Sequence, residues 1–391
     1  MMLIGQKIHI LGAGIGGLSA ALALALRGAQ VTVFEQAEVV KEVGAGIQVS
    51  PNGYAVLKAL GVAEAVEARS PRARSMRLID GEAGGTVFRM GLEPQDGERP
   101  YLFVHRADLI EVLAEAARAA GVQIKLLHHI ENVSFQDGQP VVRTAQGAEA
   151  HPEILIGADG LHSKVRAALN GEAKPFFTRQ VAWRAIVPTQ DADPVAKVYM
   201  GDRRHLVTYP LRDRNQLNLV AVQETANWAD EGWSHEDDPD NLRAAFSGFT
   251  PDVRALLNRV QSVYRWGLFR HPVAATWTRG QVAILGDAAH PTLPFMAQGA
   301  NMALEDAWVL AASLAMGDTV AHGFAHYQAQ RVPRVTRVIE AANKNARNYH
   351  LPSGPVRFLA HSALRLGTAV APHMAAKQFD WIYAHDVTKT V

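Results

Sequence analysis

The run Gly12-Ala13-Gly14-Ile15-Gly16-Gly17 spells G-x-G-x-x-G, with Gly17 as the third glycine. In that pattern the first glycine permits a tight turn and the second lets the backbone approach a pyrophosphate. The third lets helix and strand pack closely. A phosphate would then sit at a helix N-terminus, where amide donors and the helix dipole favour negative charge. Glu35 follows at about the ~20-residue offset expected for the acid that accepts hydrogen bonds from ribose hydroxyls. An acid there argues against an adenosine 2′-phosphate. These residues predict a dinucleotide site and leave FAD and NAD equally open.

Two more acids stand in glycine-bearing turns. Ala158-Asp159-Gly160-Leu161-His162-Ser163-Lys164-Val165-Arg166 follows the apolar run Ile154–Gly157, and Leu285-Gly286-Asp287-Ala288-Ala289-His290-Pro291 follows Gln281–Ile284. By residue type alone, either acid could simply cap a helix. His205 and Tyr209 lie four apart in a strand-like stretch, so both face one side. Pro210 holds Tyr209 extended. His128-His129 and His162 fit no metal-ligand spacing, H-E-x-x-H is absent, and His290 reads as structural. There is no cysteine, which excludes structural disulfides, thiolate metal sites and a dithiol relay. No metal is expected.

The elements that must position these residues are legible around them. Ile8–Leu11 is a buried strand pattern ending in glycines, Gly17 to Arg27 is rich in the helix formers Ala and Leu, and Gly28 stops that helix. Val31–Phe34 supplies a second strand, which completes one βαβ unit. Met76 to Met90 and Ala182 to Gln223 are different. Val198–Met200, His205–Tyr209 and Leu217–Val222 are short strands separated by turn residues, the signature of an antiparallel meander. Arg106 to Ala120 is helical in pattern, and strand-turn-helix passages recur at Glu153–Leu169 and Gln281–Ala315. From Tyr327 onward the chain reads as helical, broken at Pro352, Pro355 and Pro372. With 39 basic and 38 acidic residues, nothing points to a nucleic-acid or acidic-membrane partner. Leu18 to Leu26 is too short for a membrane span, and no basic, then apolar, leader pattern opens the chain. A cytoplasmic protein without a membrane span is the expectation.

The three turns, in this order, resemble the group A flavoprotein monooxygenases, single-component aromatic hydroxylases, over most of the chain through about Arg334. The resemblance implies non-covalent FAD, NADH or NADPH as transient reductant, and O2 as co-substrate. Only one G-x-G-x-x-G is present, so no second Rossmann domain is expected for the nicotinamide. Within the family, Gly12, Gly14, Gly17 and Glu35 would hold the adenosine half of FAD, and Asp287 would hydrogen-bond a ribityl hydroxyl. Arg106 would reach the ribityl-phosphate region, and Asp159 would serve both FAD and nicotinamide. The stretch Pro294-Phe295-Met296-Ala297-Gln298-Gly299-Ala300-Asn301 would border the isoalloxazine ring, with Gly299, Ala300 and Asn301 opening a helix toward its pyrimidine edge.

His205, Tyr209 and Gln298, in H-x-x-x-Y-P and P-x-x-A-Q-G, are similar to the 3-hydroxybenzoate 6-hydroxylase and salicylate hydroxylase branch, where such residues line the substrate pocket. Oxygen transfer from flavin is electrophilic and easier on a phenolate than on a phenol, which suits a histidine that takes the phenolic proton. Arg184 would neutralise an acidic substrate or pair with a neighbouring carboxylate. Trp183-Arg184-Ala185-Ile186-Val187-Pro188 lacks the second tryptophan of the flavin halogenase W-x-W-x-I-P motif. The expected fold is α/β: a Rossmann-type FAD-binding domain (1–75, 98–181 and 266–326) interleaved with a β-sheet substrate domain (76–97 and 182–265), then a helical C-terminal region (327–391). The expected function is NAD(P)H- and O2-dependent hydroxylation of a small phenolic or heteroaromatic acid. The rivals are a ubiquinone-pathway-type hydroxylase or FAD oxidase on the same fold, then a NAD-dependent dehydrogenase or a non-catalytic dinucleotide-binding protein. Substrate and oligomeric state stay open.

Overall fold

The computed structural model describes residues 3–40, 46–95, 97–172, 175–227, 235–370 and 377–390; Pro372 lies outside them. Two sheets carry the architecture. The first has six strands in the order Thr278–Arg279, Val282–Ile284, Ile154–Gly157, Lys7–Leu11, Gln30–Phe34 and Gln123–Lys125. All neighbours run parallel except the antiparallel Thr278–Arg279 edge. Parallel strands are covered on both faces and so read as near-continuous apolar runs. Here Ile8, Ile10, Val31, Val33, Leu155, Ile156, Ala283 and Ile284 are all buried. The helix Ile15–Ala25 packs against the helices Arg106–Ala119 and Gly299–Met316. It is buried almost all round, which is why its sequence lacks an amphipathic stripe.

The second sheet has eight strands: Glu236–Asp237, Val263–Arg270, Phe176–Pro188, Gln216–Glu224, Arg204–Leu211, Val195–Gly201, Ser75–Asp80 and Thr86–Gly91. Its pairings are antiparallel except between Val195–Gly201 and Ser75–Asp80. The alternation of strand side chains sorts its two faces. Trp183, Ala185, Val187, Leu206, Leu219 and Ala221 pack under Leu242, Phe246, Phe249 and Val253, contributed by the short helices Pro239–Ala245 and Pro251–Leu257 and the turns after the first. On the other face, Ala182, Val222 and Trp266 meet Leu293 and Phe295, and Tyr209 and Leu211 meet Tyr101 and Phe103. This inner face carries His205 and Tyr209.

The helical C-terminal region is present, but its first helix runs without interruption from Val320 to Tyr349, across Pro333 and the expected boundary at 327. It starts beside the parallel sheet and delivers Tyr349 and His350 to the inner face of the large sheet. The helix Pro355–Val370 then covers the edge strand Thr86–Gly91, held by His361 on Asp80 at 3.0 Å and Arg357 on Glu82 at 2.6 Å. Among the described residues, no helix is long and apolar enough to cross a membrane.

Candidate active site

Because Lys7–Leu11, Ile154–Gly157 and Val282–Ile284 are adjacent and parallel, the turns that follow them meet at one edge of the sheet. Those turns hold the glycine fingerprint, Asp159 and Asp287, and the carboxyl edge of an open α/β sheet is where ligands bind. The fingerprint is built by exclusion. Gly12 sits at φ +99°, and a Cβ there would fall 2.4 Å from the carbonyl oxygen of Ala158. A Cβ on Gly17 would fall 2.0 Å from the carbonyl oxygen of Gly12. Around Gly14, a Cβ would meet nothing within 4 Å. The first and third glycines are therefore demanded by the protein's own packing, whereas the second borders open space at the N-terminus of Ile15–Ala25. A pyrophosphate fits that space and that charge.

Glu35 ends the neighbouring strand and reaches back to this turn. Its oxygens accept the N–H of Ala13 at 2.7 Å and that of Ala37 at 2.9 Å. A carboxylate offers about four lone-pair positions, so each oxygen keeps acceptor capacity for a ribose hydroxyl. Asp287 is exposed between buried neighbours, in a single turn of 3₁₀ helix, and makes no hydrogen bond among the described residues. Asp159 is placed differently. It accepts the hydroxyl of Ser163 at 2.5 Å and the N–H groups of Lys164 and Val165 at 2.7 and 3.3 Å, so it caps the helix Lys164–Asn170. Burial pushes its pKa up, and those hydrogen bonds oppose the shift. Arg106 opens the helix Arg106–Ala119 directly after the strand Leu102–His105.

Gly299, Ala300 and Asn301 form the first turn of Gly299–Met316, where the first helical N–H bond is that of Met302 to the carbonyl of Gln298. The three preceding amides thus remain at an electropositive helix end. The side chains nearby face inward. Asn301 accepts the N–H of Ser50 at 3.0 Å and donates to the carbonyls of Gln48 and Ala297 at 3.0 and 2.8 Å. Gln298, buried, donates to the Ser50 hydroxyl at 3.0 Å and accepts from Asn52 at 3.2 Å. Both amides are committed to joining this helix to the strand Gly46–Val49 and the helix Pro51–Ala59.

Beneath them lies a charged cluster that the motif analysis passed over. Arg331 binds Glu305 and Asp306, each at 2.7 Å, and Arg334 binds Glu305 through two nitrogens at 2.7 Å. His290 bonds Asp306, whose same oxygen accepts the N–H of Gly286 at 3.0 Å. His290 thus joins the G-D turn to the buried acid beneath it. Arg166 ties the two acid turns together by donating to the carbonyls of Pro272, Ala288 and Ala289 at 2.6, 3.3 and 3.4 Å. The available signal was an adjacent acid pair inside an otherwise apolar helix, followed by arginines three apart.

On the substrate side, His205 and Tyr209 share the inner face of Arg204–Leu211 and are both buried, yet they serve different neighbourhoods. Four residues of strand separate them by roughly 13 Å. His205 stands 5.8 Å from the Phe295 ring and 5.4 Å from that of Tyr349, between centroids. Its Nδ1 lies 2.7 Å from His350 Nε2, and His350 Nδ1 lies 2.9 Å from a Glu224 carboxylate oxygen. Tyr209 stacks on Phe103 at 5.3 Å, with the Gln48 and Asn218 side chains near its hydroxyl. Burial raises the Tyr209 pKa well above its ordinary value, so it is a neutral phenol near pH 7. Arg184 lies on the same face, over the Trp266 ring at 5.2 Å. Among the described residues no group of three or more His, Asp or Glu could hold a metal.

The family described as FAD binding domain matches residues 6–342. The chain is 33% identical over 361 residues to 3-amino-4-hydroxybenzoate 2-monooxygenase PtnB3 of Streptomyces platensis, covering 89% of this chain and 90% of that one. It is 34% identical to 3-hydroxybenzoate 6-hydroxylase of Polaromonas naphthalenivorans (strain CJ2), covering 97% and 96%. Among solved structures, Klebsiella pneumoniae HpxO complexed with FAD and uric acid superposes with a TM-score of 0.81 at 28% identity, over 93% of this chain and 94% of that one.

Proposed function

For a chain that belongs to the FAD-dependent aromatic monooxygenases, we propose hydroxylation of a small phenolic or heteroaromatic acid, with NADH or NADPH as reductant and O2 as oxygen donor. The observation that carries this reading is the place of His205. It is a buried histidine on the sheet face that packs against Phe295, in the loop leading into the helix Gly299–Met316. FAD, when bound, supplies the two-electron exchange with nicotinamide and the activation of oxygen. The residues present fit it: open space at Gly14, acceptors at Glu35 and Asp287, and the three helix-end amides at 299–301 that precede the first helical bond.

The protein's own contribution is orientation and proton handling. His205 Nε2 has no partner among the described residues and would accept the phenolic proton. The resulting phenolate is the more nucleophilic ring. Tyr209, a neutral phenol, would donate to a substrate oxygen or carboxylate. Arg184, on the same face, would offset a substrate's negative charge. Gln298 and Asn301 would act by setting the loop and the helix end, since their side-chain amides are already engaged.

The test has two parts. Denatured holoprotein should release free FAD, and 3-hydroxybenzoate, 3-amino-4-hydroxybenzoate and 6-hydroxynicotinate should be screened for product and NAD(P)H oxidation. His205→Ala should then keep its flavin and keep consuming NAD(P)H while product per nicotinamide falls ~10²–10⁴-fold and hydrogen peroxide rises. A fully coupled variant at the wild-type rate removes His205 from the chemistry. Colourless protein that cannot be reconstituted with FAD removes the whole reading.

A further inference from the structure

We infer that Glu224, His350 and His205 form a proton relay that carries the substrate's phenolic proton from the buried pocket to solvent. The inference rests on the hydroxylase reading above and assigns to that site two residues, His350 and Glu224, that no motif marks.

The geometry fixes the direction of every hydrogen bond in the chain. A carboxylate only accepts, so Glu224 draws the proton of His350 to Nδ1, at 2.9 Å. His350 Nε2 is then left with a lone pair. It lies 2.7 Å from His205 Nδ1, which must therefore be the donor. With its proton on Nδ1, His205 presents a bare Nε2. One surface carboxylate thus sets the tautomers of two buried rings and leaves the innermost nitrogen as a base.

The same arrangement removes a physical obstacle. His205 is 2% exposed, and burial, followed by the adjacent His350, lowers its pKa well below the ordinary value. A base that cannot hold a charge is a poor proton store. It need not store one here. As Nε2 takes a proton from the substrate hydroxyl, Nδ1 gives one to His350 Nε2, and His350 Nδ1 gives one to Glu224. One O–H bond breaks in the substrate, one O–H bond forms on Glu224, and both imidazoles end neutral. Glu224 is 40% exposed at its side chain and can discharge to water. The other groups facing His350 are Gln180, with its amide nitrogen 3.5 Å away, and Arg204, whose positive charge disfavours an imidazolium. That charge favours transit over residence.

The elements are placed for this task. Glu224 ends the strand Gln216–Glu224, His205 lies on the adjacent strand paired with Val222, and His350 follows the last residue of the helix Val320–Tyr349. The long helix therefore inserts one ring between a surface acid and a pocket base.

The experiment compares wild type with His350→Gln, Glu224→Gln and Glu224→Asp, using whichever member of the three-compound panel the wild type hydroxylates. A pH jump on oxidised enzyme saturated with that compound reads the rate at which bound phenol becomes phenolate, from its ultraviolet absorbance. Glutamine at 350 keeps hydrogen bonding but cannot relay, so equilibration should slow at least tenfold, with flavin content and substrate affinity within about twofold of wild type. Glu224→Gln should slow it similarly, from a half-exposed site where folding is not at stake, and Glu224→Asp should restore most of the rate. Product formed per NAD(P)H should fall in step with the slowed proton transfer. Wild-type ionisation rates in both His350→Gln and Glu224→Gln would overturn the relay while leaving the hydroxylase reading intact. A wild type that hydroxylates none of the three compounds would overturn both.

Discussion

One carboxylate oxygen of Asp306 accepts the backbone N–H of Gly286 at 3.0 Å, while its other oxygen receives Arg331 at 2.7 Å. The turn that presents Asp287 at the sheet edge is therefore anchored from below by a fully buried ion pair on two helices.

Asp306→Ala leaves Arg331 and His290 facing an uncompensated buried site and frees the Gly286 turn. Breaking a buried pair by removing one partner costs about 3–5 kcal/mol. Urea denaturation should show that loss, and FAD should dissociate at lower denaturant than the global transition. Unchanged stability would mean that the cluster contributes nothing net.

Acid should release the same anchor. Burial pushes the Glu305 and Asp306 carboxyls up, but Arg331 with Arg334 on Glu305, and His290 with Arg331 on Asp306, outweigh it and hold both at about 2. Unfolded carboxylates titrate near ~4. A folded pKa below the unfolded one gives stability that is present above ~pH 5 and is lost as pH falls toward 2. Thermal melts from pH 7 to 3 should show Tm falling below pH 5, less steeply in a doubly neutralised Glu305→Gln/Asp306→Asn protein. Parallel slopes would contradict the assignment.

The three fingerprint glycines should respond differently to alanine. Gly14→Ala adds a methyl where the protein has open space and φ is −74°. Apoprotein stability should stay within about 0.5 kcal/mol, while FAD affinity falls tenfold or more. Gly17→Ala pushes a methyl onto the Gly12 carbonyl and should cost about 1–3 kcal/mol of stability by itself. Flavin titration beside denaturant melts separates the two effects.

Glu35→Ala and Asp287→Ala should each weaken FAD by roughly ten- to a hundredfold, the loss of ~1–3 kcal/mol of hydrogen bonding. Glu35→Ala should also loosen the turn at Ala13, which Asp287→Ala leaves intact. Recovery of flavin fluorescence on dilution gives both affinities. Wild-type affinity in both variants would reassign these acids.

The glycine turn, the acid at 35 and the D-G and G-D turns could be located from residue types because their demands are local. A tight turn, a helix N-terminus and a strand end are each set by a few consecutive residues. The alternation that put His205 and Tyr209 on one face was legible for the same reason. What those side chains touch was not. Asp159 belongs to a turn the motif identifies, yet its oxygens are spent on the next helix. Gln298 and Asn301 belong to a loop the motif identifies, yet their amides bond residues 48–52, about 250 positions earlier.

The sequence by itself determined a βαβ unit with a dinucleotide fingerprint, the turns in which three carboxylates stand and the likeness to flavin hydroxylases, because short-range geometry and residue chemistry are written in adjacent positions. Only the tertiary structure decided which polar groups are free for a ligand and which are consumed by packing. His205 meets His350 across 145 residues of chain, and Asp306 meets Gly286 and Arg331 through two helices. A buried polar atom must find a partner wherever the fold supplies one, and that partner is chosen by how helices and sheets pack.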